Sequence, residues 1–351
     1  MNKCYFLGGN TARGFFSYYD YLIDKQKAKK VYVIKGGPGT GKSSLMKKTA
    51  AWAKEKGYSV DEIHCSSDPD SLDGIVIHEI GAAMVDGTAP HIVDPVYPGC
   101  VDEIINMGDF WNEEGIRENR SEIIEYTNKI SGYYRTAYNY LAAAGKLYKN
   151  IIEACGTDSV YACCKGIAAS IADREAARYS AIGSGKIRRL FAAAITPKGV
   201  ISYADTLAPN KTYVLKCGGN MASGKLMEDI AERFVSRGYD TECYYDPLMP
   251  VEKIEHICVP ELGLAVVSDN LLTHINAKPG FLIDLSGMLP VDMPDTEYSF
   301  KTINALIDKS AEVIGYAKGI HDKLERCYVP NMDFEAAGRV AKKIISRLET
   351  L

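Results

Sequence analysis

Lys30-Val31-Tyr32-Val33-Ile34-Lys35-Gly36-Gly37-Pro38-Gly39-Thr40-Gly41-Lys42-Ser43-Ser44-Leu45-Met46 reads as a buried strand, a glycine-rich loop and the opening of a helix. Residues 31–34 are continuously apolar, as in a strand covered on both faces. Beyond the loop, Leu45, Met46, Thr49, Trp52 and Ala53 keep helical spacing, lysines fill the other face, and Gly57 is placed to end the helix. A second strand over residues 58–65 completes a βαβ unit, whose crossover calls for strands running the same way. The loop satisfies G-x-x-x-x-G-K-[ST] in that strand-to-helix setting. Gly36, Gly37, Gly39 and Gly41 let successive backbone N–H groups form a concave nest for phosphate oxygens, with Pro38, Thr40 and Ser44 completing it. The helix N-terminus adds open donors. Lys42 is expected to reach the β- and γ-phosphates and the Ser43 hydroxyl to ligate Mg²⁺, so ATP and Mg²⁺ are the expected ligands.

Such a loop needs a carboxylate at the end of a neighbouring strand. Asp86, after the small and apolar residues 82–85, is the first candidate for both metal and catalysis, with Asp73 and Glu79 behind it. Asp68 stands where a kinase would keep a base, although an Asp before Pro69 also suits a plain turn. The six histidines contain no H-x-x-x-H pair and receive no catalytic or metal role. The ten cysteines contain no C-x-x-C pair, which leaves zinc-ribbon and thioredoxin-type sites unsupported.

The chain is also written twice. Thr11-Ala-Arg-Gly14-Phe-Phe-Ser17-Tyr18 is echoed by Thr196-Pro-Lys-Gly199-Val-Ile-Ser202-Tyr203, and Lys30-Val-Tyr-Val-Ile-Lys35 by Lys211-Thr-Tyr-Val-Leu-Lys216. The register then holds without a gap to Gly57-Tyr58 against Gly238-Tyr239. It sets Ala222, Ser223 and Gly224 opposite Gly41, Lys42 and Ser43, so the second loop is broken. A shifted frame, residues 219–225, recovers G-x-x-x-x-G-K but continues with Leu226, which cannot hold Mg²⁺. The counterpart of Asp86 is Ser268 or, with a slip of one, Asp269. Gly183-Ser-Gly185-Lys186 imitates the motif but lacks its first glycine.

These patterns give an α/β fold of two tandem P-loop NTPase-like domains with mainly parallel sheets, over residues 1–185 and 186–351. Each is expected to carry a helical hairpin, about 112–180 and 298–351. The seams Ile123, Ile130, Tyr134, Ala137, Leu141, Ala144, Tyr148, Ile151 and Ile303, Leu306, Ser310, Val313, Ala317, Ile320, Leu324 step mostly by three and four. The hairpins would pack on their own domains, or serve as a lid or as a surface for a protein partner. The halves would pack as an internal pseudo-dimer, with a basic residue such as Lys225 reaching across. At 351 residues the chain is long enough for two cores, and its 46% hydrophobic and 25% charged composition is that of a soluble protein. A net charge of −4 argues against nucleic acid as the general partner. The scattered cysteines, the short apolar stretch at the start and the lack of a long apolar run point to the cytoplasm and away from a membrane.

The duplicated T-x-x-G-apolar-apolar-S-Y, the loop of residues 35–44 and Val85-Asp-Gly-Thr-Ala-Pro-His91 together resemble an uncharacterised bacterial family of tandem P-loop ATP-binding proteins. The resemblance spans essentially the whole chain and implies ATP binding on a duplicated fold, with no stated substrate. A looser similarity at fold level is to tandem RecA/KaiC-like ATPases. Three activities follow as expectations: an ATPase coupling nucleotide state to the helices, a phosphotransferase using Asp68, and a nucleotide-dependent binding module with little turnover.

Overall fold

The computed structural model describes residues 2–155, 157–176, 183–209, 211–216, 223–276, 280–286 and 296–351. The first half runs through strands β1 (Cys4–Tyr5), β2 (Gly8–Thr11), β3 (Gly14–Ser17) and β4 (Lys30–Lys35), then helix α1 (Lys42–Glu55). Strands β5 (Val60–His64), β6 (Leu72–Ile77), β7 (Ala82–Asp86) and β8 (Asp102–Asn106) follow, then α2 (Glu113–Glu118), α3 (Arg120–Cys155) and α4 (Asp158–Glu175). The second half repeats the plan: β9 (Ile187–Leu190), β10 (Ala193–Thr196), β11 (Gly199–Ser202), β12 (Lys211–Lys216), α5 (Ser223–Ser236), β13 (Thr241–Asp246), β14 (Met249–Val259), β15 (Leu264–Asp269) and β16 (Phe281–Asp284). It ends with α6 (Thr296–Tyr328) and α7 (Phe334–Leu348).

Each half builds a six-stranded sheet, ordered β1-β5-β6-β7-β4-β8 in one and β9-β13-β14-β15-β12-β16 in the other, so the two sheets match strand for strand. Only β6 and β14 run against their neighbours; the remaining strands of each sheet share one direction. The βαβ unit is present with a difference. β4 and β5 run the same way but are not adjacent, because β7 and the antiparallel β6 lie between them. All six residues of β6 are buried, the burial a central strand requires.

The repeated T-x-x-G has the same structural cause twice. Thr11 Oγ1 donates to Gly14 O at 2.7 Å and accepts from Arg13 N at 3.0 Å; Thr196 does the same with Gly199 O at 2.8 Å and Lys198 N at 3.1 Å. The glycines close these β-turns at φ of 86° and 93°, a left-handed conformation that a side chain resists. The halves also meet through equivalent residues. Phe6 N–H donates to Phe191 O at 2.9 Å and Phe191 N–H returns the bond to Phe6 O at 3.0 Å, the self-pairing that an approximate twofold demands.

The helical hairpins are a correction. α3 packs antiparallel along α6 of the other half, with Ala137, Leu141, Ala144 and Tyr148 against Ile303, Ile307, Ala311 and Ile314, and with Ser310 Oγ donating to Ala137 O at 3.1 Å. At 36 residues and ~1.5 Å per residue, α3 is about 54 Å long, enough to carry the chain out of its own half. The next helices therefore dock on the opposite half. Val160, Cys164, Ala168 and Ile171 of α4 join the core of α5, while Ala337, Ala341, Ile344 and Leu348 of α7 close the α1 face of the first sheet. Of the seams read from the sequence, Tyr134, Ala137, Leu141, Ala144, Tyr148 and Ile151 of α3 and Ile303, Leu306, Ser310 and Val313 of α6 join this interface, whereas Ile307, Ala311 and Ile314 of the α6 face lie outside the predicted seam. No described helix is long and apolar enough to cross a membrane.

Candidate functional site

The glycine loop leaves the C-terminal edge of β4, between the parallel neighbours β7 and β8. Gly39 and Gly41 take φ of 68° and 87°, and α1 begins without a capping side chain. Its first N–H groups are therefore available to an anion. Thr40 Oγ1 donates to Gly37 O at 2.8 Å and ties the loop together. Lys42 arches back over it: its Nζ donates to Gly36 O and Gly37 O, each at 2.8 Å, and lies 3.6 Å from Asp86 Oδ2.

Asp86 is placed by sheet register. It pairs with Ile34 on β4, so its carboxylate emerges beside the loop. Thr88 N–H donates to Asp86 Oδ1 at 2.8 Å, and the Thr88 hydroxyl donates to Gly36 O at 3.0 Å, joining carboxylate and loop through one residue. Ser43 Oγ accepts from Leu72 N–H at 2.9 Å, Pro38 is half-buried and Ser44 is exposed. A hydroxyl and a carboxylate are the hard oxygen donors that Mg²⁺ prefers, so Ser43 and Asp86 fit the expected metal chemically.

The other carboxylates separate. Antiparallel β6 takes Glu79 to the far edge of the sheet, where it caps Ser59 N–H at 2.8 Å, away from the loop. Asp68 accepts from Ser71 Oγ at 3.0 Å and lies 3.6 Å from Lys318 Nζ, so it is both a turn former and an ion-pair partner. Asp73 is buried in a cluster of its own with Cys65 and His91.

The second half keeps the frame with other residues, Ser223, Gly224 and Ser268, at the counterparts of Lys42, Ser43 and Asp86. α5 starts at Ser223 as α1 starts at Lys42, and the pairing of Leu215 with Ser268 repeats that of Ile34 with Asp86. Ser268, not Asp269, therefore holds the carboxylate's place. Residues 217–222 of this loop lie outside the described residues. At the position of Ser43, a Cβ added to Gly224 would lie 3.0 Å from Lys253 Cγ. The buried Lys253 ammonium donates to Asp246 Oδ2 at 2.9 Å, Glu255 Oε1 at 2.8 Å and Tyr148 Oη at 2.9 Å. Burial and the Asp246 carboxylate push the Glu255 carboxyl up to about 8, while Lys253 opposes the rise. Gly185 of the decoy motif packs against the Tyr239 backbone.

Lys225 does not reach across; it pairs with Glu228 and Asp229 of its own helix at 2.7 and 3.8 Å. The residues that do reach the first loop come from the α6–α7 corner. A Cβ at Gly37 would meet the Tyr328 ring at 2.9 Å, and one at Gly39 would meet Val329 at 2.8 Å and Glu325 at 3.4 Å. Backbone bonds seat this corner: Asn112 N–H to Asn331 O at 2.7 Å and Asp333 N–H to Phe110 O at 2.8 Å. A cavity of about 460 Å³ opens alongside, lined by Trp111, Asn112, Asn331, Met332 and Asp333. Nothing in the α6 sequence marks these residues, because their place depends on the exchange of helices. No family model, curated protein or solved structure matches the chain.

Proposed function

We propose that the chain is a Mg²⁺-dependent ATP-binding protein of two P-loop NTPase-like domains, with one working site at residues 35–44, and that it hydrolyses ATP there. The glycine nest takes the phosphates, Lys42 turns from the loop carbonyls to the terminal phosphate, Ser43 and Asp86 hold Mg²⁺, and the cavity beside Trp111 takes the nucleoside. Mg²⁺ would neutralise charge between the phosphates. The observation that carries the reading is the seating of Tyr328 and Val329 on the loop glycines. A loop that rearranges around a triphosphate must work against a corner supplied by the other half, which links nucleotide state to the α3–α6 pair. The prior engagement of Asp68 by Ser71 and Lys318 favours water over a small-molecule acceptor.

Calorimetric titration with a non-hydrolysable ATP analogue is expected to give one tight, Mg²⁺-dependent site per chain. Lys225→Ala should leave that stoichiometry unchanged; two equivalent sites would mean that the second loop works. Asp86→Asn should retain nucleotide binding through the loop amides yet lose phosphate release by about 10²-fold or more, the scale expected for a preorganised electrostatic contact. Undiminished release in that variant would remove Asp86 from the metal site.

A further inference from the structure

The ends of β5 and β6 hold a second cluster, made of Cys65, Asp73 and His91, all buried, whose ligand atoms lie within 4.8 Å of one another. His91 Nε2 is 3.4 Å from Asp73 Oδ2, and its buried Nδ1 has no hydrogen-bond partner among the described residues. The ring is clamped between Phe15 and Tyr19, each with its centroid 5.1 Å away. Tyr19 Oη donates to Asp73 Oδ2 at 3.0 Å. Burial and the Asp73 carboxyl hold the Cys65 thiol well above its ordinary pKa, with the backbone N–H groups of Ser67 and Asp68 opposing the rise.

The duplication supplies an independent comparison. Strand register sets Asp73 opposite Glu255, Cys65 opposite Asp246 and Ser71 opposite Lys253. In the second half this place holds two carboxylates around the Lys253 ammonium. In the first half it holds a thiol, a carboxyl and an imidazole, with Ser71 where the lysine would be. One half carries its own cation; the other carries a donor set for one.

We infer that Cys65, Asp73 and His91 form a binding site for a borderline divalent metal ion, of which Zn²⁺ is the type, occupying the place that Lys253 fills in the second half. Sulfur, imidazole and carboxylate together select Zn²⁺ over Mg²⁺ or Ca²⁺, and three protein ligands leave a fourth position for water or Tyr19 Oη. As the metal–sulfur bond forms, the Cys65 proton leaves to solvent. The ion would join the turn carrying Asp68, the start of β6 and the segment after Asp86, three pieces that frame the glycine loop. Two other groupings are poorer sites. In Cys4, Glu62 and His64, the carboxylate is paired to Lys54 at 2.8 Å and the imidazole Nδ1 meets Pro69 O at 3.0 Å. In His321, Asp322 and Glu325, all at least partly exposed, Asp322 is paired to Lys318 at 2.5 Å.

The test is titration of the full-length, chelator-stripped chain with Co²⁺ and then Zn²⁺. One Co²⁺ per chain with a thiolate-to-cobalt charge-transfer band, displaced by one equivalent of Zn²⁺, is expected. The band should vanish in Cys65→Ser and persist in Cys4→Ser. His91→Gln should lower Zn²⁺ affinity by at least 10-fold and serves as the second variant if Cys65→Ser fails to fold, circular dichroism reporting the fold of each. Wild-type protein that binds no stoichiometric Co²⁺ or Zn²⁺ overturns the inference, as does a band that survives in Cys65→Ser or unchanged affinity in His91→Gln.

Discussion

Lys42→Ala is expected to reduce phosphate release from ATP by about 10²–10³-fold or more, the scale for removing a preorganised group that meets developing charge. Lys42 spans the Gly36 and Gly37 carbonyls and faces Asp86, so its ammonium is held over the glycine loop. The substitution leaves the glycine amides and the Thr88 bond to Asp86 in place, so the fold should survive with the chemistry gone. Phosphate release and thermal melting measured on the same preparation separate the two. Turnover within a few-fold of the parent would remove residues 35–44 as the active loop.

Lys253→Ala is the corresponding experiment on stability. It strips the cation from between Asp246 and Glu255 in a fully buried setting, and removing one partner of such a pair costs about 3–5 kcal/mol. Urea unfolding at neutral pH checks this; a loss under ~1 kcal/mol would mean that the cluster is hydrated or rearranged. Glu255→Gln should behave oppositely. With its carboxyl raised from 4.5 to about 8, Glu255 contributes stability that is full below 4.5 and lost as pH rises through about 8. The glutamine variant should therefore gain on the parent progressively across that window. His256 contributes to the acid limb. Burial lowers it from 6.5 to about 3, so its contribution is complete above 6.5 and lost as pH falls towards 3.

The local structure around the glycine loop was legible because its causes are local. Continuous apolar character gave β4, helical spacing gave α1, and Gly57, at a φ of 84°, ends the helix with Gly57 N–H bonded to Lys54 O. The repeat was legible for the same reason, since a T-x-x-G turn depends on a threonine and a glycine three residues apart. Strand order was not, because β6 enters the sheet through pairing with β5 and β7 rather than through any signal of its own. The partners of α3 and α4 were hidden too: an apolar seam states that a helix is covered, not by which half. Asp73 could be named as a carboxylate near the loop, but its company of Cys65 and His91 comes from three segments that only the sheet brings together.

The exchange of α4 and α7 also fixes the order in which the chain can be completed during synthesis. Domains that fold as units can form one after another as they leave the ribosome. Here Leu45, Met46, Ala50 and Ala53 of α1 wait for Ala337, Ala341, Ile344 and Leu348 of α7, which is made after every other element described. The half that emerges first thus finishes last. In the interval it exposes an apolar face beside its glycine loop, while the second half, whose α5 is covered by the earlier α4, can close as soon as its own strands are made.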